Sequence, residues 1–161
     1  VKGCMEIVDD AMSGFDYLCC ACGTGATLTG IITQLKQHQT ALGFPALKNG
    51  KFLEKDIANF LAQFNSANKN WQLILDYHFG GFAKYTNALI DFIIRFKKLH
   101  KIQLDPLYTG KVVYGIYDLA KNGFFRKNSK ICVIHTGGIQ GIEGFKHRYS
   151  QTNKVCNNLL K

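Results

Sequence analysis

A mostly apolar run that leads directly into a glycine-rich turn constrains this chain more than any other feature. Residues 16–21 form the run, and residues 22–27 (Cys-Gly-Thr-Gly-Ala-Thr) follow at once. Beyond the turn, apolar residues recur at helical spacing at positions 28, 31, 32 and 35. The sequence therefore predicts a buried strand over residues 16–21 and a helix over residues 26–38.

The rest of the chain alternates between the same two patterns. Further strands are predicted over residues 40–44, 71–76 and 130–135, and helices over residues 2–12, 51–64, 85–100 and 109–121. This alternation is typical of an α/β fold with a mostly parallel sheet and helices on both faces, in which ligands bind at the carboxyl ends of the strands. Since no repeat or linker is visible, we expect residues 1–161 to form a single α/β domain.

The net charge of +9, from 20 basic and 11 acidic residues, raises the question of an anionic partner. The basic residues are scattered over predicted helix exteriors, without an arginine-rich stripe or adjacent stacking aromatics. This distribution favours a solvated surface, so we expect no nucleic-acid partner. No apolar stretch approaches the length of a membrane span, so we expect no membrane partner either.

Six cysteines would permit disulfides, but Cys19, Cys20 and Cys22 lie in the apolar run. No secretory leader precedes the first predicted element, and we expect reduced thiols in a cytoplasmic protein, acting as small core hydrophobes. A zinc site needs a second ligand pair, which Cys20 and Cys22 lack. We therefore expect no metal.

The turn over residues 23–27 has the composition of a phosphate site. Glycines allow the backbone to turn its N–H groups inward, and the dipole of the following helix favours an anion. A Walker A motif would need a lysine followed by serine or threonine, and the dinucleotide pattern would need a third glycine where Leu28 stands. A small phosphate-bearing ligand and a ligand-free strand-to-helix turn remain as alternatives.

Two further motifs carry candidate functional groups. In residues 104–111 (Leu-Asp-Pro-Leu-Tyr-Thr-Gly-Lys), a proline-fixed turn should place Tyr108 at the start of the next helix. Its phenol would serve as acid or base if a nearby cation lowered its pKa, and it would otherwise be a packing residue. Residues 134–138 end a strand and would present the Thr136 hydroxyl at the ligand-binding edge, unless they only terminate the strand. We interpret His135 as a supporting or core histidine.

The order of these three motifs resembles one enzyme family across nearly the whole chain. Gly-Thr-Gly-Ala-Thr, Asp-Pro-Leu-Tyr-Thr-Gly-Lys and His-Thr-Gly-Gly are similar to the 1-aminocyclopropane-1-carboxylate deaminase and D-cysteine desulfhydrase family of tryptophan-synthase-β-like pyridoxal-phosphate enzymes. Residues 105–111 are the most specific part, and residues 75–84 are similar as well. The resemblance implies the large cofactor-binding domain of a two-domain, fold type II enzyme.

The resemblance also implies roles for individual residues. Those around the phosphate of pyridoxal 5'-phosphate would be Gly23, Thr24, Gly25, Ala26 and Thr27. Thr136 would face the pyridine nitrogen, and Tyr108 would lie near the substrate as acid or base. Phe82 would be close to the substrate, at a position where members of the family commonly carry a tyrosine.

The activity implied for the intact protein is that of a lyase or hydrolase that deaminates a small amino acid to an α-keto acid and ammonia. The substrate stays open between 1-aminocyclopropane-1-carboxylate, D-cysteine and another D-amino acid, because Phe82 lacks a hydroxyl. The family's Schiff-base lysine lies in an N-terminal half that the resemblance does not find here. We therefore expect this chain alone to be inactive, its missing half to be a partner, and the intact form to be a homodimer. The alternative is a non-catalytic module that binds phosphate-bearing ligands or that missing half.

Overall fold

The computed structural model of the protein describes residues 1–149 and residue 159. Its four strands form one parallel sheet in the order β3-β2-β1-β4. The strands are β1 (Tyr17–Cys22), β2 (Thr40–Pro45), β3 (Trp71–Leu73) and β4 (Ile131–Val133). Each begins within one residue of its predicted start, so the predicted parallel α/β sheet is confirmed.

Six α-helices accompany the sheet in the described part of the chain. They are α1 (Lys2–Met5), α2 (Ala26–Gln34), α3 (Leu53–Gln63), α4 (Asn87–His100), α5 (Thr109–Lys121) and α6 (Gln140–Tyr149). Short 3₁₀ helices occupy Asp10–Gly14, Gly50–Phe52 and Asp76–His78. None of these helices is long and apolar enough to cross a membrane.

The central strand β1 is buried on both faces. On one face, Leu18, Cys20 and Cys22 pack into a cluster with α2 and α3. On the other face, Cys19 packs with Val112 of α5. The predicted cover of helices on both faces is therefore confirmed, and the cysteines of β1 are free thiols within the core.

The first predicted helix, over residues 2–12, is wrong in its extent. The helix α1 ends at Met5, and a separate 3₁₀ helix begins at Asp10. Between them Asp9 is extended (φ −117°, ψ −177°), and its carboxylate accepts the N–H of Ala11 at 3.0 Å. A short acidic side chain that bonds its own neighbouring backbone competes with the helical hydrogen bonds, which explains the break.

Helix α2 ends at Gln34 and not at residue 38 as predicted. The buried side chain of Gln39 explains the early end, because it binds three main-chain groups around this turn. Its Nε2 donates to the carbonyls of Met12 at 2.8 Å and Phe15 at 3.0 Å, and its Oε1 accepts the N–H of Lys36 at 3.0 Å. These bonds hold residues 36–39 in a non-helical turn.

The topology brings three segments to one edge of the sheet. Because β1 and β4 are parallel neighbours, the residues that follow Cys22 and Val133 emerge side by side. The start of α5 lies at the same edge, with Tyr108 as its N-terminal cap residue. The three motifs that stand far apart in the sequence are therefore adjacent in the fold.

Candidate functional site

A cavity of about 340 Å³ lies at this carboxyl edge, within the range of about 300–1,000 Å³ typical of small-molecule sites. Its lining residues are Ala21, Gly23, Thr24, Gly25, Ala26, Thr27, Tyr108, Thr136, Gly137 and Gly138. The structure thus brings together seven of the eight residues that the sequence singled out. Phe82 lies next to this group and outside the lining.

The turn between β1 and α2 requires glycine at position 25. Gly25 has φ +83°, and a Cβ there would lie only 2.8 Å from Cγ1 of Ile57 in α3. The N–H of Thr29 donates to the carbonyl of Gly25 at 2.9 Å, whereas the N–H groups of residues 24–27 donate to no other group in the described part of the chain. These main-chain donors at the start of α2 are therefore available to an anion.

Two threonines lie beside these main-chain donors. Thr24 and Thr27 both line the cavity, one in the turn and one in the first turn of α2. The hydroxyl of Thr27 also lies 3.9 Å from the thiol of Cys4, which donates to it. A hydroxyl that accepts from one side keeps its own proton to donate to a ligand oxygen.

The phenol of Tyr108 is close to the turn. Its Oη lies 3.8 Å from the position that a Cβ would occupy at Gly23. Burial, and then the charge of Asp105, raises the pKa of Tyr108 above its ordinary value. The neighbouring charge that acts on this pKa is a carboxylate and not a cation that would lower it, so the phenol keeps its proton at neutral pH and is a donor and not a ready base.

The carboxylate of Asp105 organises the start of α5, a role that the sequence reasoning missed. Asp105 is 0% exposed, and its carboxylate accepts the N–H groups of Leu107 at 2.8 Å, Tyr108 at 2.7 Å and Thr109 at 3.0 Å. The hydroxyl of Thr109 donates to it as well. Its Oδ2 lies 2.9 Å from the position that a Cβ would occupy at Gly138. Asp105 therefore contacts two parts of the cavity lining, Tyr108 and Gly138. The sequence does contain a signal for this role, because Asp105 stands directly before a proline and the start of a helix.

The segment that carries Thr136 is held by the exposed side chain of His135. Its Nδ1 accepts the N–H of Gly137 at 3.1 Å, and its Nε2 lies 3.0 Å from the carbonyl of Gln103. This pairing fixes the proton on Nε2, which donates to Gln103. His135 is thus a surface histidine that supports the glycine segment, so of the two expected roles the contacts favour the supporting one and not a core position.

Phe82 packs against the outer side of Tyr108. The two ring centroids are 5.8 Å apart at an interplanar angle of 58°, and Phe82 is 50% exposed. Lys111 binds the loop that carries Phe82, because its Nζ donates to the carbonyls of His78 at 2.8 Å and Gly81 at 2.9 Å. Burial lowers the pKa of Lys111 to about 8, and the charge of Asp105 partly offsets this effect.

Metal binding finds no support in the described residues, which contain no cluster of three or more histidine, cysteine, aspartate or glutamate side chains arranged for a cation. The cavity offers main-chain N–H groups, hydroxyls and one phenol. This donor set suits a phosphate-bearing ligand better than a metal ion.

Comparisons with known proteins agree with this chemistry. The model of the family described as "Pyridoxal-phosphate dependent enzyme" matches residues 3–137. A Pyrococcus furiosus protein provisionally named 1-aminocyclopropane-1-carboxylate deaminase is 35% identical over 136 residues, which are 79% of this chain and 40% of that protein. An Arabidopsis thaliana mitochondrial protein, named as a bifunctional D-cysteine desulfhydrase/1-aminocyclopropane-1-carboxylate deaminase, is 30% identical over 80% of this chain and 33% of its own length.

Among solved structures, the crystal structure of an "ACC deaminase homologue" superposes with a TM-score of 0.78 at 28% identity, covering 98% of this chain and 48% of that one. The chain therefore spans less than half the length of these relatives. The resemblance drawn from the three motifs is confirmed, as is the dependence of the family on pyridoxal phosphate. The chain belongs to the pyridoxal-phosphate-dependent enzyme family.

Proposed function

We propose that this chain forms the part of a pyridoxal-phosphate-dependent enzyme that holds the phosphate of the cofactor. The whole protein would deaminate a small amino acid, of the 1-aminocyclopropane-1-carboxylate or D-cysteine type, to an α-keto acid and ammonia. The observation that supports this proposal is one cavity in which the free N–H groups of residues 24–27 meet Tyr108 and Thr136. The names of the relatives in the comparisons support the reaction class.

The geometry of the turn fits a phosphate group. Glycine at position 23 leaves the space between the turn and Tyr108 open, glycine at position 25 permits the φ of +83°, and the N-terminus of α2 favours negative charge there. The hydroxyls of Thr24 and Thr27 would add two donors to the main-chain N–H groups. A dianionic phosphate with three accepting oxygens matches such a set of convergent donors.

Two side chains would face the rest of the cofactor and the substrate. When bound, pyridoxal phosphate supplies an electron sink for a carbanion on the substrate. The hydroxyl of Thr136 would hydrogen-bond the ring nitrogen. A carboxylate at this place would enforce protonation of that nitrogen, whereas a hydroxyl does not. Tyr108, whose pKa is raised, would donate its phenolic proton to the substrate or orient it by a hydrogen bond.

The substrate alternatives stay open at Phe82. Its ring borders the phenol of Tyr108, so a substrate that approaches Tyr108 would pass an apolar edge. A hydroxyl at this position would be a further proton-transfer or hydrogen-bonding group. We therefore propose Phe82 as a residue that bears on the choice between opening of a cyclopropane ring, elimination of sulfide and another D-amino-acid lyase reaction.

The amine that would bind the cofactor covalently is proposed to lie outside this chain. No lysine is among the described lining residues of the cavity, and Lys111 directs its Nζ to the carbonyls of His78 and Gly81. The chain alone would therefore be inactive, and its partner would be the segment that carries the lysine. Light scattering of the intact protein tests the homodimer that we expect.

The test compares pyridoxal phosphate with pyridoxal, which lacks the phosphate, by calorimetry on the purified chain. We expect weak binding of pyridoxal phosphate and no measurable binding of pyridoxal, because the donors act on the phosphate. The double substitution Thr24→Val and Thr27→Val should weaken binding at least about tenfold, since hydrogen bonds to a charged group contribute about 1.5–3 kcal/mol each.

The matched control is Thr33→Val, which removes a hydroxyl of the same helix that donates to Gly30 at 2.7 Å outside the cavity. This variant should bind as the unsubstituted chain does. Equal affinity for pyridoxal, or an unchanged affinity in the double variant, would refute the phosphate site.

A further inference from the structure

Lys111 is a buried cation with two long-range partners. It is the third residue of α5 and is 2% exposed. Its Nζ donates to the carbonyls of His78 at 2.8 Å and Gly81 at 2.9 Å, which precede it by 33 and 30 residues. A buried ammonium group persists only where acceptors replace water, so these two carbonyls account for its position.

The loop that Lys111 binds has an unusual backbone. Phe79, Gly80, Gly81 and Ala83 have positive φ values of 53°, 94°, 120° and 57°. Phe79 and Ala83 carry side chains that disfavour this region, so surrounding contacts must hold the loop in place.

The two carbonyls also close consecutive turns of this loop. The N–H of Gly81 donates to the carbonyl of His78 at 3.0 Å, and the N–H of Lys84 donates to the carbonyl of Gly81 at 3.1 Å. Each carbonyl therefore accepts one main-chain bond and one bond from Lys111. The lysine binds the loop at the two points that define its shape.

The first turn of α5 touches this loop twice. Lys111 binds its carbonyls, and Tyr108, three residues earlier, packs its ring 5.8 Å from that of Phe82. Phe82 is half exposed and makes this contact at the margin of the cavity. The lysine and the tyrosine thus set the position of Phe82 relative to the site from one rigid element.

We propose that Lys111 is a positioning residue, which fixes residues 79–83 so that Phe82 lies against Tyr108 and narrows the approach to the phenol. The consequence for substrates rests on the proposed function, whereas the effect on the loop does not. The charged and titratable groups around Lys111 are Asp105, on the α5 side, and the loop's His78 and Lys84, with Lys48 packed against Gly81.

The test places para-trifluoromethylphenylalanine at position 82 and follows its fluorine NMR signal in the 161-residue chain. Lys111→Met keeps the apolar stem and removes the ammonium group. The matched control is Lys84→Met, which removes an exposed ammonium group from the same loop. Amide hydrogen exchange of residues 79–84 is measured on the same variants.

Lys111→Met should speed exchange in the loop at least about tenfold and leave the amides of β1 and β2 unchanged, because only the loop carbonyls lose their hydrogen-bond donor, the Lys111 ammonium group. Replacing Tyr108 by leucine should shift the fluorine signal in the unsubstituted background and leave it unshifted in the Lys111→Met background. A general loss of stability would not produce this coupling. Equal loop exchange in the Lys111 and Lys84 variants, or a Tyr108 effect that persists without Lys111, would overturn the proposal.

If Lys111→Met does not fold, the unsubstituted chain provides the second measurement. Raising the pH converts the ammonium group of Lys111, whose pKa is about 8, to an amine that makes weaker hydrogen bonds to the same two carbonyls, so the fluorine signal should shift as Lys111 loses its proton. The Lys84→Met variant should titrate in the same way. A fluorine signal that stays flat while nitrogen NMR shows Lys111 losing its proton would contradict the proposal.

Titration with pyridoxal phosphate tests the proposed function separately, because failure to bind pyridoxal phosphate would leave the result for the loop unchanged.

Discussion

The carboxylate of Asp105 holds the main chain of Tyr108, with Oδ1 accepting the Tyr108 N–H at 2.7 Å. The same carboxylate lies against Gly138, in the segment that carries Thr136. The buried carboxylate of Asp105 therefore contacts both the residue that carries the phenol and the glycine segment on the other side of the cavity. Because its charge also raises the pKa of Tyr108, it acts on both the place and the protonation of that side chain.

Asp105→Asn should destabilise the fold by about 2–3 kcal/mol, because an amide NH₂ would face donors of Thr109 where a carboxylate oxygen now accepts them. Urea unfolding followed by circular dichroism measures this change. The control, Asp10→Asn, removes an exposed carboxylate 3.7 Å from Lys36 and should leave stability unchanged. Equal effects of the two substitutions would show that Asp105 does not organise the start of α5.

Gly25→Ala should destabilise the protein by about 1–3 kcal/mol, because φ is +83° and the added Cβ would lie 2.8 Å from Ile57. Gly144→Ala is the matched control, since a Cβ added there in α6 would lie more than 4 Å from every atom of the described residues apart from its neighbours along the helix. In a helix, alanine should be neutral there or stabilise by up to about 1 kcal/mol. Thermal unfolding of both variants checks the difference, and a harmless Gly25→Ala would contradict the close contact.

The phenol of Tyr108 should ionise above its ordinary pKa of about 10, because burial and Asp105 both favour the protonated form. A raised pKa in the folded state means that its contribution to stability is complete below the unfolded value and is lost as the pH rises through the folded value. The difference in tyrosinate absorbance between the chain and its Tyr108→Phe variant isolates this step. A step below pH 10 would show that a cation dominates at this site.

The sequence predicts the starts of the strands and the site turn well, because their signals are local, whereas β3 and β4 end three and two residues earlier than predicted. An apolar run bounded by glycine locates β1 and the start of α2, and Pro106 locates the start of α5. The failures come from side chains that bond the main chain. Asp9 accepts the N–H of Ala11 and interrupts the first helix, and Gln39 ends α2 early through bonds to nearby Lys36 and to the distant Met12 and Phe15. Helix α6, whose stretch contains two glycines, was not predicted at all.

The chemistry of the site was less predictable than its location. Tyr108 and Thr136 line the cavity beside Thr24, but the neighbour that acts on Tyr108 is a carboxylate. Nothing in the sequence indicated that Lys111 would be buried, because its acceptors are carbonyls of a loop more than two dozen residues away. Carbonyl acceptors exist in every residue, so no residue type marks them in a sequence.

The isolated chain should release neither ammonia nor sulfide from 1-aminocyclopropane-1-carboxylate or D-cysteine, because no lysine is among the described residues that line its cavity. Borohydride reduction in the presence of pyridoxal phosphate, followed by peptide mapping, should find no lysine labelled stoichiometrically. One lysine labelled in full, together with turnover, would show that this chain carries the covalent anchor itself.

Amide NMR can show whether the turn after β1 binds a phosphate group. Pyridoxal phosphate added to the nitrogen-labelled chain should shift the N–H signals of residues 24–27 downfield more than any others, because these groups donate to the anion. Pyridoxal at the same concentration should leave them in place. Shifts centred on another part of the chain, or equal shifts with pyridoxal, would show that this turn is not a phosphate site.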